Sequence, residues 1–256
     1  MPVTDLELLI TAAQAAARTA TAFVGGPLGV VRKDDDSPVT KADIAVNDLL
    51  HDMLRDARPG YGWLSEETPD SADRLGQEHV FIVDPIDGTR SFIDGQDTWA
   101  HSLAVVRNGQ VTAGVVLLPM KDRLYAAALG QGATLNGAPI AATDAPTLTG
   151  ARVLATKPSL AEHHWPGGLP DMRRSYRPSL AYRIGLVAQG RYDGMFTFRP
   201  SWEWDIAAGS LIASEAGAQV SDARGATLTF NNRHPQTDGI VAASPGVWQG
   251  LIDRLG

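Results

Sequence analysis

The chain has 256 residues, 44% hydrophobic and 20% charged, the balance of a globular protein with a buried core, which excludes disordered and collagen-like scaffolds. Its 22 Lys and Arg against 29 Asp and Glu give a net charge of -7, which argues against a nucleic-acid polymer or an anionic membrane as partner. It has no cysteine, hence no disulfide and no thiol nucleophile.

No apolar run approaches the roughly 18 residues that span a bilayer. Met1 to Ile10 lacks a basic stretch followed by an apolar one, so no signal peptide and a cytoplasmic location are expected. Thr4-Asp5-Leu6-Glu7 has the pattern of a capping box. It predicts a helix whose buried face carries Leu6, Leu9, Ile10, Ala13, Ala17, Ala20 and Phe23, closed by Gly25-Gly26-Pro27. After a polar, turn-like stretch from Lys33 to Pro38, Thr40 caps a second helix to about Arg55, with Ile44, Leu50, Met53 and Leu54 among its apolar positions.

Past Pro59-Gly60 the texture changes to strands. Val80 to Val83 is a short apolar run halted by Asp84-Pro85, and His101 to Arg107, Val111 to Leu118 and Arg123 to Leu129 follow. Asn108-Gly109 marks a tight hairpin and Asn136-Gly137 another turn. Residues 1–145 are therefore expected to place two helices on a largely antiparallel sheet. Asp144 to Gly150 is read as a lobe boundary. Residues 146–256 alternate strand and helix: Val153 to Thr156, Ser179 to Gln189, Met195 to Phe198, Asp205 to Ala216, Ile240 to Ala243 and a terminal helix around Val247 to Leu255. That alternation predicts a second α/β lobe.

Several chemistries lose support by absence. There is no Gly-Lys dipeptide for a P-loop, no G-x-S-x-G elbow and no H-E-x-x-H pair. Gly130-Gln131-Gly132 lacks the third glycine of a dinucleotide fingerprint and reads as a hairpin turn. His163-His164 reads as a solvated loop. What remains is carboxylates in unusual company. Asp84-Pro85-Ile86-Asp87-Gly88-Thr89 delivers two acids from a strand end, which is costly unless a cation lies between them. Magnesium, a hard cation that takes oxygen ligands, is the natural candidate. Pro85 keeps Asp84 extended, Gly88 lets the backbone approach a ligand, and the amides of Gly88 and Thr89 open a short helix toward Phe92 that offers an anion site. Taken singly, the other acids have plainer readings. Glu66-Glu67 reads as an exposed acidic turn, Asp205 as a helix N-cap and Asp43 as a first-turn acid favoured by the helix dipole.

Taken together, Trp63 to Glu67, Asp84 to Thr89 and Trp204 to Gly209 resemble, in order and spacing, the inositol monophosphatase family of magnesium-dependent, lithium-sensitive phosphatases, over about Lys33 to Gly217. The resemblance implies a layered αβαβα fold of the α/β (α+β) sugar-phosphatase type, with an antiparallel sheet lobe, a smaller mixed lobe and the site between them. It implies that Glu66, Asp84, Asp87, Asp205 and the Ile86 carbonyl hold about two or three Mg²⁺ ions, with Asp84 bridging. Asp43, Glu66 and Thr89 become the catalytic group that orients the attacking water. Lys33, Asp87, Gly88, Thr89, Arg183 and Asp205 become substrate contacts, the amides of Gly88 and Thr89 binding the phosphate. The reaction implied is in-line attack by water without a covalent phospho-enzyme. A haloacid-dehalogenase-type aspartyl nucleophile needs one residue between its aspartates, and this chain has two.

The substrate implied is a small phosphorylated metabolite. Arg90-Ser91-Phe92 looks like the histidinol-phosphate or nucleotidase branches, and Ser179 to Arg183 with Leu186-Val187-Ala188 looks like the bacterial bisphosphate nucleotidases. Six Arg against one acid lie between Arg173 and Arg199, which suits a second phosphate, although a solvated basic face explains them equally. Phe198 stands seven residues before Asp205, where inositol-specific members tend to place an acid. The expected substrate is therefore 3'-phosphoadenosine 5'-phosphate, with inositol 1-phosphate and histidinol phosphate as alternatives. A protein-binding regulatory role is the non-enzymatic alternative, and a homodimer is left open.

Overall fold

Helices α1 (Asp5–Thr21) and α2 (Lys41–Ala57) form one outer layer. Both start in reciprocal caps, Thr4 with Glu7 and Thr40 with Asp43, which satisfy amide groups that the first turn leaves unbonded. The computed structural model describes residues 3–255; Met1 and Pro2, the start of the segment read for a leader, and Gly256 lie outside the described residues. On α1 the buried face is Leu9, Ala12, Ala13, Ala16 and Ala20, and the helix ends before Phe23. On α2 it is Ala42, Asp43, Val46, Asn47, Leu50 and Leu54. Ile44, expected inside, is 42% exposed, because the buried stripe of α2 runs through two polar side chains that the site below requires. A two-stranded ribbon, β1 (Val31–Arg32) and β2 (Pro38–Val39), joins the two helices.

Beneath them lies a seven-stranded sheet in the order β3 (Gly62–Ser65), β4 (His79–Asp87), β5 (Ala100–Arg107), β6 (Gln110–Leu118), β7 (Arg123–Ala128), β8 (Ala133–Leu135) and β9 (Ala138–Ile140). It is antiparallel except for β3, which runs parallel to β4. Asn108 and Gly109 both take positive φ, 48° and 83°, as a two-residue hairpin requires. Alternation along β4 sets the layers: Phe81 and Val83 join the cluster with α1 and α2, while Val80 and Ile82 join the cluster on the opposite face. The strand does not stop at Asp84, as its proline suggested. It continues to Asp87 through a register shift, one of the few places a sheet accepts proline.

The opposite face is covered by α4 (Leu180–Ala188) and α5 (Glu203–Glu215). Every residue of α4 is buried, as expected of a helix enclosed between two sheets. The second sheet has the order β11 (Arg173–Ser175), β10 (Arg152–Leu154), β12 (Gly194–Thr197), β16 (Ile240–Ala243) and β14 (Gln219–Ser221). It mixes parallel and antiparallel pairs. α6 (Pro245–Ile252) closes its far face with Val247 and Leu251. A short α3 (Thr89–Ile93) follows β4, and a ribbon of β13 (Ser201–Trp202) and β15 (Gln236–Thr237) leads into α5. The result is the layered αβαβα sandwich. α4 and α5 come from the second half of the chain yet pack on the sheet of the first, so the stretch from Asp144 to Gly150 joins two sheets that share one middle layer.

The sheet and α5 approach each other closely at Gly114 of β6, where a Cβ would stand 2.9 Å from the backbone oxygen of Ala208. Neither side has a flexible side chain to move aside. Gly114→Ala is therefore expected to cost about 1–3 kcal/mol, read as a lowered urea midpoint. An unchanged midpoint would contradict the close seating of α5 on the sheet.

Candidate metal and phosphate site

Asp84 and Asp87 leave the end of β4, and Asp205 lies in the first turn of α5. Oxygens of the three carboxylates fall within 4.8 Å of one another. Asp205 is not the N-cap its sequence suggested: α5 starts at Glu203 with Trp202 as cap, which turns the Asp205 side chain toward β4. Ser102 of β5 donates to the Trp204 carbonyl at 2.9 Å, fixing that turn to the sheet.

Asp84 is 1% exposed, and its Oδ1 is buried without a hydrogen-bond partner. Burial, then the charges of Glu66, Asp87, Asp205 and Asp43, hold its carboxyl well above the usual range. Asp205 is raised in the same way, by burial and then by Asp87 and Glu66. Asp87 is better supported. Its Oδ2 accepts from Ser179 Oγ at 2.5 Å and from the Ala181 amide at 2.7 Å, both at the start of α4, yet burial still pushes it up to about 6. Three converging acids with raised carboxyls, one with an orphaned oxygen, could hold a hard divalent cation, and an all-oxygen donor set of this kind fits magnesium.

Glu66 and Glu67 follow β3 and are not the exposed acidic turn expected. Asn47 of α2 accepts from Ser65 Oγ at 2.8 Å and from Thr68 Oγ1 at 3.2 Å, which folds the turn inward. The Glu67 side chain is only 4% exposed, and burial followed by the Glu66 charge pushes it up to about 7. Lys33 bridges the pair, with Nζ 3.0 Å from Glu66 Oε1 and 2.7 Å from Glu67 Oε1. Burial disfavours its charge, but the two carboxylates hold its ammonium above the ordinary value. Glu66 lines the same cleft as the three aspartates while its carboxylate faces Lys33.

Asp43 is 1% exposed. Its Oδ2 accepts from Thr40 N at 2.8 Å and Thr40 Oγ1 at 2.5 Å. Its Oδ1 lies 3.2 Å from Thr89 Oγ1, which is also 3.2 Å from the Ile86 carbonyl. Burial raises the Asp43 carboxyl despite the Thr40 bonds. Gly88 has φ +98°, the left-handed conformation that favours glycine, and this turns the chain from β4 into α3. Arg183 is 3% exposed, and two of its guanidinium nitrogens reach the Ser179 and Pro178 carbonyls at 3.3 and 3.4 Å. Its Nη1 is buried without a partner.

Glu66, Asp84, Ile86, Asp87, Gly88, Thr89, Arg183 and Asp205 line a cleft of about 370 Å³, whereas Lys33, Asp43 and Glu67 stand behind its wall. A cavity of about 610 Å³ adjoins it and shares Thr156, Tyr176 and Arg199. Phe198 lines that cavity, and His164, read as part of a solvated loop, turns its ring to 4.8 Å from Phe198. The sequence reading missed Ser179 and Ala181 as supports of Asp87. Ser179 was read only as the start of a helix, and an amide carries no residue signature.

A model of the inositol monophosphatase family matches residues 3–255. The chain is 34% identical over 260 residues to the inositol-1-monophosphatase of Mesorhizobium japonicum, covering 98% of this chain and 95% of that protein. It is 33% identical to the Nus factor SuhB of Escherichia coli, covering 88% and 84%. Among solved structures, the IMPase of Thermotoga maritima aligns with a TM-score of 0.83 at 25% identity, covering 97% and 95%. None of these three carries the name of a bisphosphate nucleotidase, the branch expected from Arg90-Ser91-Phe92 and the Arg-rich segment. That segment is dispersed in the fold: Arg173 and Arg191 face solvent, Arg183 is buried at the cleft, and Arg174 and Arg199 line the adjoining cavity.

The raised carboxyls couple stability to pH. Folded, metal-free protein holds protons on Asp84, Asp87 and Asp205 that the unfolded chain has released above about pH 4. Their contribution to stability is therefore full below that pH and is lost as pH rises through the raised carboxyls, about 6 for Asp87. In chelator, Asp84→Asn is expected to melt higher than the unsubstituted protein at pH 8, by more than it does at pH 5. A variant that melts no higher at pH 8 would contradict the uncompensated charge.

Proposed function

Because the chain belongs to the inositol monophosphatase family, whose members are phosphoric monoester hydrolases, we propose that it hydrolyses inositol 1-phosphate or a closely similar small phosphate monoester with magnesium. The observation that carries this reading is the cluster of Asp84, Asp87 and Asp205, whose ligand oxygens lie within 4.8 Å. In this reading Glu66, Asp84, the Ile86 carbonyl, Asp87 and Asp205 hold about two or three Mg²⁺ ions, whose charge balances the carboxylates and a substrate phosphate of about -2. Magnesium, when bound, neutralises the phosphate oxygens and makes bound water a better nucleophile.

The protein's own groups do the rest. Asp43, fixed by both hydrogen bonds from Thr40, leaves Oδ1 to take the Thr89 hydroxyl proton. Thr89 Oγ1 then presents a lone pair to the attacking water, orients it and receives its hydrogen bond. Asp43, with its carboxyl raised by burial, is suited to accept a proton along that route. Gly88 and Thr89 lie in the cleft wall, where their amides meet the phosphate, and Arg183 Nη1 is free for a substrate oxygen. Lys33 holds the Glu66-Glu67 turn in place and sets a positive charge against the Glu66 side chain that lines the cleft.

One observation favours a second substrate. The adjoining cavity carries Lys157, Arg174 and Arg199 beside Phe198 and Tyr176, with no acidic residue in its lining, which suits 3'-phosphoadenosine 5'-phosphate. The Nus factor name belongs to the SuhB relatives. In this chain Glu66, Asp84, Asp87 and Asp205 are all present, so catalysis remains the leading reading. In this reading the enzyme works in the cytoplasm and can pair as a homodimer; among the described residues no helix is long and apolar enough to cross a membrane.

Phosphate release with Mg²⁺ from inositol 1-phosphate, 3'-phosphoadenosine 5'-phosphate and histidinol phosphate tests the proposal. Inositol 1-phosphate is expected to lead in kcat/KM by about a hundredfold, some 2.7 kcal/mol of transition-state discrimination. A lead for the nucleotide would install the second reading, and release from none would overturn both. Asp87→Asn is expected to lower kcat by about 10³-fold or more while the fold remains; retention of most activity would remove Asp87 from the metal site.

A further inference from the structure

The spacing of Asp84 and Asp87 is set by a bulge. The β4–β5 ladder pairs Asp84 with Ser102 and Asp87 with Ala100, so Pro85 and Ile86 together stand opposite one residue, His101. Two residues facing one is the definition of a β-bulge, and it leaves the extra backbone groups outside the ladder. Pro85 has no N–H to offer, and its carbonyl is bonded by the ring nitrogen Nδ1 of His101. The histidine side chain thus replaces the ladder bond that the bulge removes.

The environment fixes the ring's chemistry. His101 is 0% exposed. A carbonyl only accepts, so Nδ1 must carry the hydrogen. Nε2 is buried without a partner, a place that tolerates a bare lone pair better than an orphaned N–H. Burial lowers the imidazole to about 4, so the ring stays neutral through the physiological range. It is also clamped: Trp99 meets it edge-on at 5.5 Å, and Trp99 meets Phe92 of α3 edge-on at 5.0 Å. One contact path therefore runs from the bulge to the helix that carries Thr89.

We propose that His101 is a positioning residue whose Nδ1–H holds the Pro85 carbonyl and so keeps the Asp84 and Asp87 carboxylates at the separation a cation requires. This rests on the reading of Asp84 and Asp87 as metal ligands. His101 touches neither ion nor substrate and acts through the backbone alone.

Two variants separate the hydrogen bond from mere packing. His101→Asn keeps an N–H donor at the place of Nδ1, whereas His101→Leu keeps bulk and loses the donor. Mg²⁺ binding by titration calorimetry is expected to weaken at least tenfold in His101→Leu, about 1.4 kcal/mol, and to stay within about threefold of the parent in His101→Asn. Equal weakening in both, or none in His101→Leu, would overturn the proposal. Nitrogen-15 NMR of the unsubstituted protein supplies a test that depends on no variant folding: the proton is expected on Nδ1 at pH 7, and a proton on Nε2 would overturn the contact itself. If the parent protein binds no Mg²⁺ at all, the ligand reading falls and takes the role in positioning with it, while the NMR result still reports separately on the bond to Pro85.

Discussion

The negative charge of Asp84 and Asp87, both buried, and of half-buried Asp205, held where their oxygens come within 4.8 Å of each other, is the constraint on which the rest of the molecule depends. Water solvates carboxylates far better than a protein interior does, and three together repel one another besides. Such a group persists only if a cation compensates it in the working state and a rigid frame holds it otherwise. The αβαβα layering supplies that frame, since an inner strand of one sheet, next to its edge, delivers two of the acids and a middle-layer helix delivers the third.

The frame acts through hydrogen bonds that leave the ligand oxygens free. Asp87 is tied by one oxygen to the start of α4, which lies near the positive end of that helix dipole. Asp43 is tied by one oxygen to its own helix cap, and the other oxygen reaches Thr89. Lys33 spans Glu66 and Glu67 and draws charge away from the cluster. Function is thereby placed where ionised carboxylates are disfavoured, an exchange familiar from active sites generally.

Much of this was legible from residues alone. D-P-I-D-G-T after an apolar run and W-D-I-A-A-G before a helix carry their chemistry in residue type and spacing, and capping boxes and Asn-Gly turns are local codes that the fold respects. What stayed hidden is what depends on contacts far apart in sequence. Ile44 was placed inside because it is apolar, whereas the side of α2 that meets the sheet is chosen by Asn47 bonding Ser65 and by Asp43 bonding Thr89. Glu67 reads as solvated until Lys33, 34 residues earlier, is seen to cover it. Proline suggested the end of β4, and only the partner strand reveals that His101 lets the ladder resume at Asp87.

The central claim is that these three carboxylates form a cation site, and the most direct measurement is anomalous diffraction from crystals grown with Mn²⁺ in place of Mg²⁺. A strong anomalous peak is expected among Asp84, Asp87 and Asp205, ligated by their carboxylate oxygens. Saturating Mn²⁺ that leaves this position empty, with the three side chains unmoved, would contradict it.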